Sequence, residues 1–230
     1  EVVRAAYNRI DPAYWIAEEQ QRAVTDRISR FKRTVADIAD VIRPAPLRAA
    51  QTDSIDRQSF RTVSSGDITA EGRVSRPESS VDMPVNRQRG AFLNTILRPN
   101  DIVFVHKGAV GRCGIVDENF RDVILGPSTV CIRLHEGVKD MSAPALMRYL
   151  RSPGFRPWIN KIVKDVADNK KMLFMSAKDV EKFPVPELSE EQLAAEQHAF
   201  DEQTKLIEKR KLLDETIRSF EFTAIPEDWR

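Results

Sequence analysis

The chain has 230 residues, of which 41% are hydrophobic and 31% charged, a composition typical of a folded globular protein with much helical surface. It contains no apolar run of about 18 residues, so we expect no membrane span. Cys113 and Cys131 lie outside any CxxC pair and the three histidines are scattered. We therefore expect buried thiols in a reducing, cytoplasmic compartment, and neither a metal site nor a cofactor.

The net charge of +1 hides an uneven distribution. Residues 187–230 carry a net charge of −6, and the rest of the chain carries +7. This asymmetry predicts a basic globular domain over residues 1–186, an acidic helix over 187–222 and a tail over 223–230. Since the chain begins with Glu1 and no secretory leader follows, we expect it to be a piece of a longer protein.

The first half of the chain is predicted to pass from helix to strands. Asp11-Pro12 is a good helix start, and the apolar spacing after it predicts a helix over residues 11–35. Residues 44–58 are predicted as a loop and residues 70–92 as a long polar loop. Short apolar runs bounded by Gly, Pro, Asn and Asp predict strands at 60–63, 102–105, 111–116, 123–125 and 129–134.

The second half is predicted to be mainly helical. Helices are expected over residues 144–150, 154–166 and 177–182, with Ser142 and Ser176 as N-caps. Ser189 and Gln192 form a capping box at the start of a helix of some thirty residues. Its apolar stripe is the candidate helix interface and comprises Leu193, Phe200, Leu206, Leu213, Ile217 and Phe220. This stripe either packs against another helix or folds back on its own domain.

Several short segments occur in an order that resembles a known family. The chain contains, in sequence, Arg9–Trp15 (RIDPAYW), Leu97–Val103 (LRPNDIV), Gly108–Arg112 (GAVGR), Ala143–Ser152 (APALMRYLRS), Met175–Val180 (MSAKDV) and Phe183–Gln192 (FPVPELSEEQ). Together they resemble the opening, the "L-x-x-G-D-I … G-x-x-G" motif and the spacer-helix junction of type I restriction-modification DNA specificity subunits. Asn100 stands where that family commonly has Gly, and Asp168-Asn169-Lys170-Lys171 stands where a Gly is often found.

The resemblance implies a fold and a role. The implied fold is α+β: a globular target-recognition domain of mixed sheet and helix, followed by a long coiled-coil-type C-terminal helix. The implied role is sequence-specific binding of double-stranded DNA for a restriction-modification or adenine-methylation system. The implied partners are a DNA methyltransferase subunit or fused methyltransferase domain, a restriction subunit, or a second copy of the chain. The chain would then be a half-subunit or the specificity tail of a fused N6-adenine methyltransferase.

The candidate DNA contacts are polar side chains in three stretches. Cationic groups and amides are suited to phosphates, whereas Arg and Gln can form paired hydrogen bonds with guanine and adenine. The candidates are Arg73, Arg76, Asn86, Arg87, Gln88, Arg89, Lys107, Arg112, Lys161, Lys164, Asn169, Lys170 and Lys171. We assign base contacts to Arg87, Gln88 and Arg89 and phosphate contacts to the lysines. Each side chain could instead be ordinary solvated surface, and Gly108 and Gly111 could serve only a strand-to-strand turn.

The sequence lacks the motifs of a catalytic site. Neither the Asn/Asp-Pro-Pro-aromatic loop of an adenine methyltransferase nor a P-loop is present. We therefore expect the chain not to be an enzyme by itself. One alternative is a protein-interaction adaptor that acts through the long helix. A weaker one is a Mg²⁺-dependent nuclease, in which Asp101 and the Asp168–Lys170 segment would supply the carboxylates and lysine.

Overall fold

The computed structural model describes residues 19, 22–45, 57–84, 91–117, 120–166 and 173–219. The strands are β1 (Arg33–Thr34), β2 (Ala39–Ile42), β3 (Arg57–Val63), β4 (Ser80–Pro84), β5 (Ile102–Val105), β6 (Cys113–Ile115), β7 (Val123–Leu125), β8 (Thr129–Leu134) and β9 (Pro184–Val185). The helices are α1 (residues 22–28), α2 (Ala91–Asn94), α3 (Ala143–Arg151), α4 (Arg156–Val166), α5 (Ala177–Glu181) and α6 (Glu190–Ser219). This mixture of strands and helices, ending in a long helix, confirms the predicted α+β class.

The centre of the molecule is a four-stranded antiparallel sheet of order β2-β8-β5-β6. Successive side chains of a strand point to opposite faces, and both faces of β5 are buried. Ile102 and Phe104 join the larger hydrophobic cluster, whereas Val103 and Val105 join a second cluster on the other face. The continuous apolar run at 102–105 is therefore a buried strand, as predicted.

The helices cover one face of this sheet, and a second sheet covers the other. The larger cluster contains apolar side chains of α3, α4 and α5 together with Phe104. Phe183 packs edge-on against Phe104 and Phe155, with ring centroids 5.4 and 5.2 Å apart. The second sheet has the order β4-β3-β7, in which β3 and β7 are parallel. The layers are thus helices, central sheet and second sheet.

The predicted helix caps are confirmed. Ser142 accepts a hydrogen bond from the Ala145 amide at 3.3 Å, and Ser176 and Asp179 bond reciprocally to each other's backbone amides. At the start of α6, the Gln192 side chain accepts from the Ser189 amide at 2.9 Å and the Gln192 amide donates to Ser189 Oγ at 3.2 Å. These side chains occupy backbone groups that helix starts leave without partners.

The predicted N-terminal helix over 11–35 is wrong over its last seven residues, 29–35. The helix ends at Ile28, and Arg33–Thr34 instead forms β1, which pairs with Pro184–Val185 of β9. Val35 is buried in a short 3-10 turn, so its apolar character reflects the core and not a helix face. The pairing partner lies about 150 residues away, which local periodicity does not report. The part before residue 19 lies outside the described residues.

Two predicted loops are shorter than expected. The loop over 44–58 ends where β3 begins at Arg57, and the polar stretch 70–92 contains β4 and the start of α2. In β4, Met83 is buried, whereas Ser80 and Asp82 are exposed, so polar residues at alternate positions conceal the strand.

The long helix α6 spans 30 residues, or about 45 Å. We refer to the described residues before Ser189 as the body, to residues 190–204 as the near half of α6 and to residues 205–219 as its far half. Leu193 and Phe200 of the near half pack against the larger cluster of the body. In the far half, Leu206, Leu213 and Ile217 are 64%, 59% and 59% exposed. The predicted stripe is therefore divided, and its last member, Phe220, lies outside the described residues.

Candidate nucleic-acid interface

The Gly108–Gly111 segment is a tight turn between β5 and β6. Both glycines have φ in the left-handed region, at +83° and +88°. A Cβ on Gly111 would lie 2.7 Å from Nη1 of Arg156, which would have to move, and the positive φ would strain any larger residue there. Of the two roles left open for these glycines, the structure supports the strand-to-strand turn.

The backbone of this turn is occupied by its own hydrogen bonds. The Gly108 amide donates to the Leu173 carbonyl, the Val110 amide to Gly108, the Gly111 amide to Val105 and the Arg112 amide to Ala109, at 2.8 to 3.2 Å. These amides are consequently not free to cradle a phosphate. These four amides therefore do not contribute a phosphate-binding cradle, and side chains are the stronger candidates for DNA contacts at this turn.

Cationic side chains surround the turn and the neighbouring helix α4. Lys107 is exposed beside Phe174, with which it forms an isolated bridge, and Arg112 is exposed with its guanidinium donating to the Ile68 carbonyl. Arg156, which the sequence reasoning missed, donates from Nη1 to the Val110 carbonyl at 3.1 Å. Lys161 lies on α4, with Nζ 5.7 Å from the Trp158 ring centroid. We call Lys107, Arg112, Arg156 and Lys161 the turn–α4 surface; Lys164 also lies on α4, but its side chain is not described.

Arg76 lies elsewhere, at the edge of the second sheet. Its Nη2 donates to Asp122 at 2.7 Å, and Nε of Arg61 lies 3.7 Å from the same carboxylate. Two guanidinium groups thus share one carboxylate, and a net positive charge remains. The structure does not bring Arg76 together with the turn–α4 surface.

Arg73 has to be removed from the candidate DNA contacts. It is 6% exposed and lies between the body and α6, with Cζ 3.7 Å from the centroid of the Phe200 ring. Its burial lowers the pKa of the guanidinium, and Asp117 opposes that shift. The sequence suggested a solvated loop because the strands and helix that cover Arg73 come from distant parts of the chain.

The remaining candidates lie outside the described residues and stay predictions. They are Asn86, Arg87, Gln88 and Arg89 in one stretch, and Asn169, Lys170 and Lys171 in another. The first stretch follows Pro84, which is paired with Arg57 across the β3–β4 ladder. Arg57 and Gln58 are exposed at that end of the ladder and were also missed. The signal that could have identified them is their position as two polar residues at the start of the strand β3.

The backbone conformation at Asn100 explains why Asn is tolerated at the position where the resembled motif commonly has Gly. Its φ is +70°, and it is the non-glycine residue with positive φ in the described part of the chain. Glycine adopts this conformation without strain, and Asn is among the side chains that tolerate it best. An Asn at this position therefore fits the turn before β5.

Asp101 is structural. It is 2% exposed, and Arg133 binds both of its carboxylate oxygens, at 2.7 and 2.6 Å. The Arg98 amide adds a third hydrogen bond at 2.7 Å. This pairing raises the pKa of Arg133 and leaves Asp101 no free oxygen for a metal ion. The nuclease alternative thereby loses its proposed upstream carboxylate.

Both cysteines are buried free thiols. Burial raises the pKa of Cys113 to about 12 and that of Cys131 well above its ordinary value. The thiolate that a nucleophile or metal ligand requires is therefore suppressed at both positions. Among the described residues, no three His, Cys, Asp or Glu side chains are placed to hold a metal ion. Within the same residues, no helix is both long and apolar enough to cross a membrane.

Comparison with known proteins gives structural likeness only. No protein-family model matches the chain, and no curated protein matches it. Solved structures do resemble it, among them three from type I restriction-modification systems. One belongs to work on complex assembly and conformational transition of such a system, with 13% identity, a TM-score of 0.49 and coverage of 93% of this chain and 53% of the other.

The other two structures are specificity subunits. The HsdS subunit from Thermoanaerobacter tengcongensis has 13% identity, a TM-score of 0.47 and coverage of 92% of this chain and 50% of its own. The S subunit from M. genitalium has 12% identity, a TM-score of 0.43 and coverage of 86% and 53%. The chain spans about half the length of these structures. At such identities and TM-scores, the likeness does not by itself assign a function.

Proposed function

We propose that this chain is a DNA target-recognition module of a type I-like restriction-modification or adenine-methylation system. The body binds double-stranded DNA at a specific sequence, and α6 holds it to the rest of the system. The chain contributes recognition, and an associated or fused methyltransferase contributes the chemistry. The observation that carries this proposal is the placement of the family-like segments at the structural junctions of the chain.

The family-like segments that lie within the described residues form turns, strands and capped helix ends. The Leu97–Val103 segment makes the turn at Asn100 and begins β5, and Gly108–Arg112 closes the β5–β6 turn. The Ala143–Ser152 segment is α3 with its C-cap, and Phe183–Gln192 forms β9 and the capped start of α6. Motifs that agree with the structure at each step support the resemblance more strongly than their sequence order alone.

The division of charge supports the assignment of DNA to the body. The described cations of the turn–α4 surface and of the second-sheet edge lie on a part of the chain with net charge +7. Polyanionic DNA is attracted to such a surface and repelled by the acidic helix. Arg87, Gln88 and Arg89 remain the proposed base-reading side chains, and Asn86, Lys164, Asn169, Lys170 and Lys171 remain proposed contacts.

The far half of α6 is the proposed docking segment. Leu206, Leu212, Leu213 and Ile217 are exposed along a helix that extends past the body. A methyltransferase subunit or domain, or a second copy of the chain, would bury this stripe by helix packing. The adaptor alternative uses the same surface without DNA, so the two functions differ in whether the body binds a duplex.

Selection from a random-sequence duplex pool tests the proposal. The chain is incubated with the pool at low salt, bound DNA is separated by mobility shift, and bound and unbound sequences are compared. We expect enrichment of one short motif. Failure to bind any duplex at low salt would overturn DNA recognition and favour the adaptor. Incubation of the same pool with Mg²⁺ checks for cleavage, which we do not expect.

The proposed base-reading residues are tested on the selected site. Arg87→Ala with Arg89→Ala should abolish discrimination between that site and a scrambled duplex, since each guanine contact contributes about 1–3 kcal/mol of discrimination. Retention of full specificity by this variant would show that other residues read the bases.

The turn–α4 surface is tested by its salt dependence. Lys107→Ala with Lys161→Ala should weaken binding to all duplexes and lower the slope of log K against log salt by about 0.9 per lost phosphate contact. Lys170→Ala with Lys171→Ala should act in the same way. Lys209→Ala on the acidic helix is the control and should leave the slope unchanged. Unchanged slopes in both double variants would remove these lysines from the interface.

A further inference from the structure

The turn over residues 68–74 is a part of the body that contacts α6, and hydrogen bonds hold it in place. Ile68 and Val74 form an antiparallel bridge, and the Thr69 amide donates to the Arg73 carbonyl at 2.8 Å. Gly72 has φ +83°, and a Cβ there would lie 3.0 Å from Nε of Arg151. Arg151 in turn donates to the carbonyls of Ala70 and, at 2.8 Å, Cys113. The 68–74 turn is thereby tied to α3 and β6.

Arg73 connects the 68–74 turn to α6. Its guanidinium stacks on the Phe200 ring, and Nη2 donates to Thr204 Oγ1 at 2.5 Å. Nη1 lies 3.6 Å from the Asp117 carboxylate. Within the described residues, Nε and Nη1 make no hydrogen bond, so the ring, the hydroxyl and the carboxylate compensate the buried charge. Movement of α6 away from Arg73 would remove two of these three partners.

Glu71 makes a second contact further along the helix. Its carboxylate accepts from Nη1 of Arg210 at 2.7 Å. The hydrogen bond from Arg210 is the largest cause that lowers the pKa of Glu71 to about 2. From Phe200 to Arg210 the helix rises about 15 Å, so the turn holds α6 over nearly three turns.

The beginning of α6 is fixed independently. Arg33 binds Asp140 and donates to the Pro186 carbonyl at 3.0 Å, and the Leu188 amide donates to the Asp140 carbonyl at 3.2 Å. Grooves of about 320 and 410 Å³ flank the helix where it crosses the body, so its contacts there are narrow. A rod held at its origin and at one further point has a single direction.

We propose that Arg73 and Glu71 are positioning residues: the 68–74 turn holds α6 at one angle to the body and thereby sets the distance between the DNA site of the body and the partner of the far half. The angle follows from the contacts of α6 alone. The consequence for DNA rests on the proposed function. In a reader of two half-sites, this angle would determine which spacing between them is accepted.

Distance measurements between spin labels test the angle in the whole chain. Labels are placed on cysteines introduced at exposed Glu136 in the body and exposed Glu215 in the far half; Cys113 and Cys131 are buried. A tilt of about 10° around the start of α6 would move Glu215 by roughly 7 Å, which exceeds the resolution of the method. A second pair at Glu136 and Glu78 reports on the body alone.

The variants should differ in a defined order. We expect a narrow distance distribution for the native chain, a broad one for Arg73→Ala, and a broad or shifted one for Arg210→Glu, which places two carboxylates opposite each other. Glu71→Arg combined with Arg210→Glu restores opposite charges and should narrow the distribution again. The Glu136–Glu78 distance should stay constant throughout. A broad native distribution, or Arg73→Ala and Arg210→Glu distributions identical to the native one, would overturn the proposal.

Binding to duplexes with two half-sites separates this inference from the proposed function. On DNA with the selected motif at varied separations, Arg210→Glu should accept a wider range of spacings, and the charge-swapped double variant should recover the native range. Affinity for a single half-site should be unchanged, because neither Glu71 nor Arg210 is among the proposed DNA contacts. If the native chain binds no duplex, the proposed function fails, whereas the spin-label distances still decide the angle.

Discussion

The two halves of α6 both carry apolar residues at helical spacing, but they differ in charge and in surroundings. The near half has five acidic residues and no Lys or Arg, whereas the far half has three acidic and five basic residues. In the near half, Leu193 and Phe200 pack against the body, and Arg148 pairs with Glu196 at 3.1 Å. In the far half, Leu206, Leu213 and Ile217 remain largely exposed. One continuous apolar stripe is therefore packed against the body in its first part and exposed in its second.

The difference shows what an apolar stripe can and cannot specify. Spacing selects the helical conformation and decides which side chains share a face. Burial depends on whether another surface lies opposite, and the body reaches only as far as Arg210. An isolated helix is marginal in water, so the near half gains stability from the body, whereas the part of the far half beyond Arg210 depends on a partner or on its own side-chain pairs.

The largest expected loss of unfolding free energy follows a substitution in the body, which supports the near half of α6. Asp101→Ala leaves the Arg133 guanidinium largely buried without its carboxylate and should lower the free energy of unfolding by about 3 kcal/mol or more. Urea denaturation measures it. Asp214→Ala on the far half is the control and should change stability by less than about 0.5 kcal/mol. Equal effects would mean that the Asp101–Arg133 pair does not support the fold.

A matched pair of substitutions, one in each half of α6, tests whether only the near half packs against the body. Phe200→Ala should cost about 2 kcal/mol of unfolding free energy, because it removes partly buried aromatic surface and the contact with Arg73. Leu213→Ala on the far half should cost less than about 0.5 kcal/mol. Urea denaturation of both variants checks this. Similar losses would show that the far half also packs on the body.

The Glu71–Arg210 ion pair should make a smaller, pH-dependent contribution to the free energy of unfolding. The folded-state pKa of Glu71 is about 2 and its ordinary value is 4.5, so the ionised carboxylate stabilises the fold above pH 4.5. This contribution, at most about 1 kcal/mol for a partly exposed pair, should be lost as the pH falls from 4.5 to 2. Denaturation midpoints of the native chain and Glu71→Gln should therefore converge over that range. A constant difference down to pH 2 would contradict the assignment.

The smallest effect on stability should come with the largest effect on assembly. Leu213→Ser with Ile217→Ser should leave the free energy of unfolding within about 0.5 kcal/mol per site, since both side chains are already exposed. Light scattering should show that the variant loses concentration-dependent association with itself or with a methyltransferase partner. A strong destabilisation of the isolated chain would instead place the far half against the body.

Much of the fold was predictable from local patterns. The bounds of β5, β7 and β8 match their apolar runs, because a strand buried on both faces has continuous hydrophobic sequence. The caps at Ser142, Ser176 and Ser189 were also predictable, since an N-cap is a local hydrogen bond between residues three apart. The errors lie where the partner is distant: β1 pairs with β9, and β4 hides within a polar stretch.

The candidate site was predictable in part. The basic character of the body and the turn at Gly108–Gly111 followed from composition and spacing. Arg73 was misplaced because a cation in a polar stretch has the same sequence appearance whether it meets water or the face of Phe200. Arg156 was missed because its position beside the turn depends on how α4 packs against β5 and β6.

By itself, the sequence determined the α+β class, the capped helices, the buried strands and the length of α6, because these depend on interactions between residues close in the chain. Tertiary structure decided which half of α6 is covered, that Arg73 and Glu71 hold its direction, and that Asp101 is bound by Arg133. These features join segments that are 32 to 139 residues apart. Only the folded chain brings such segments within hydrogen-bonding distance.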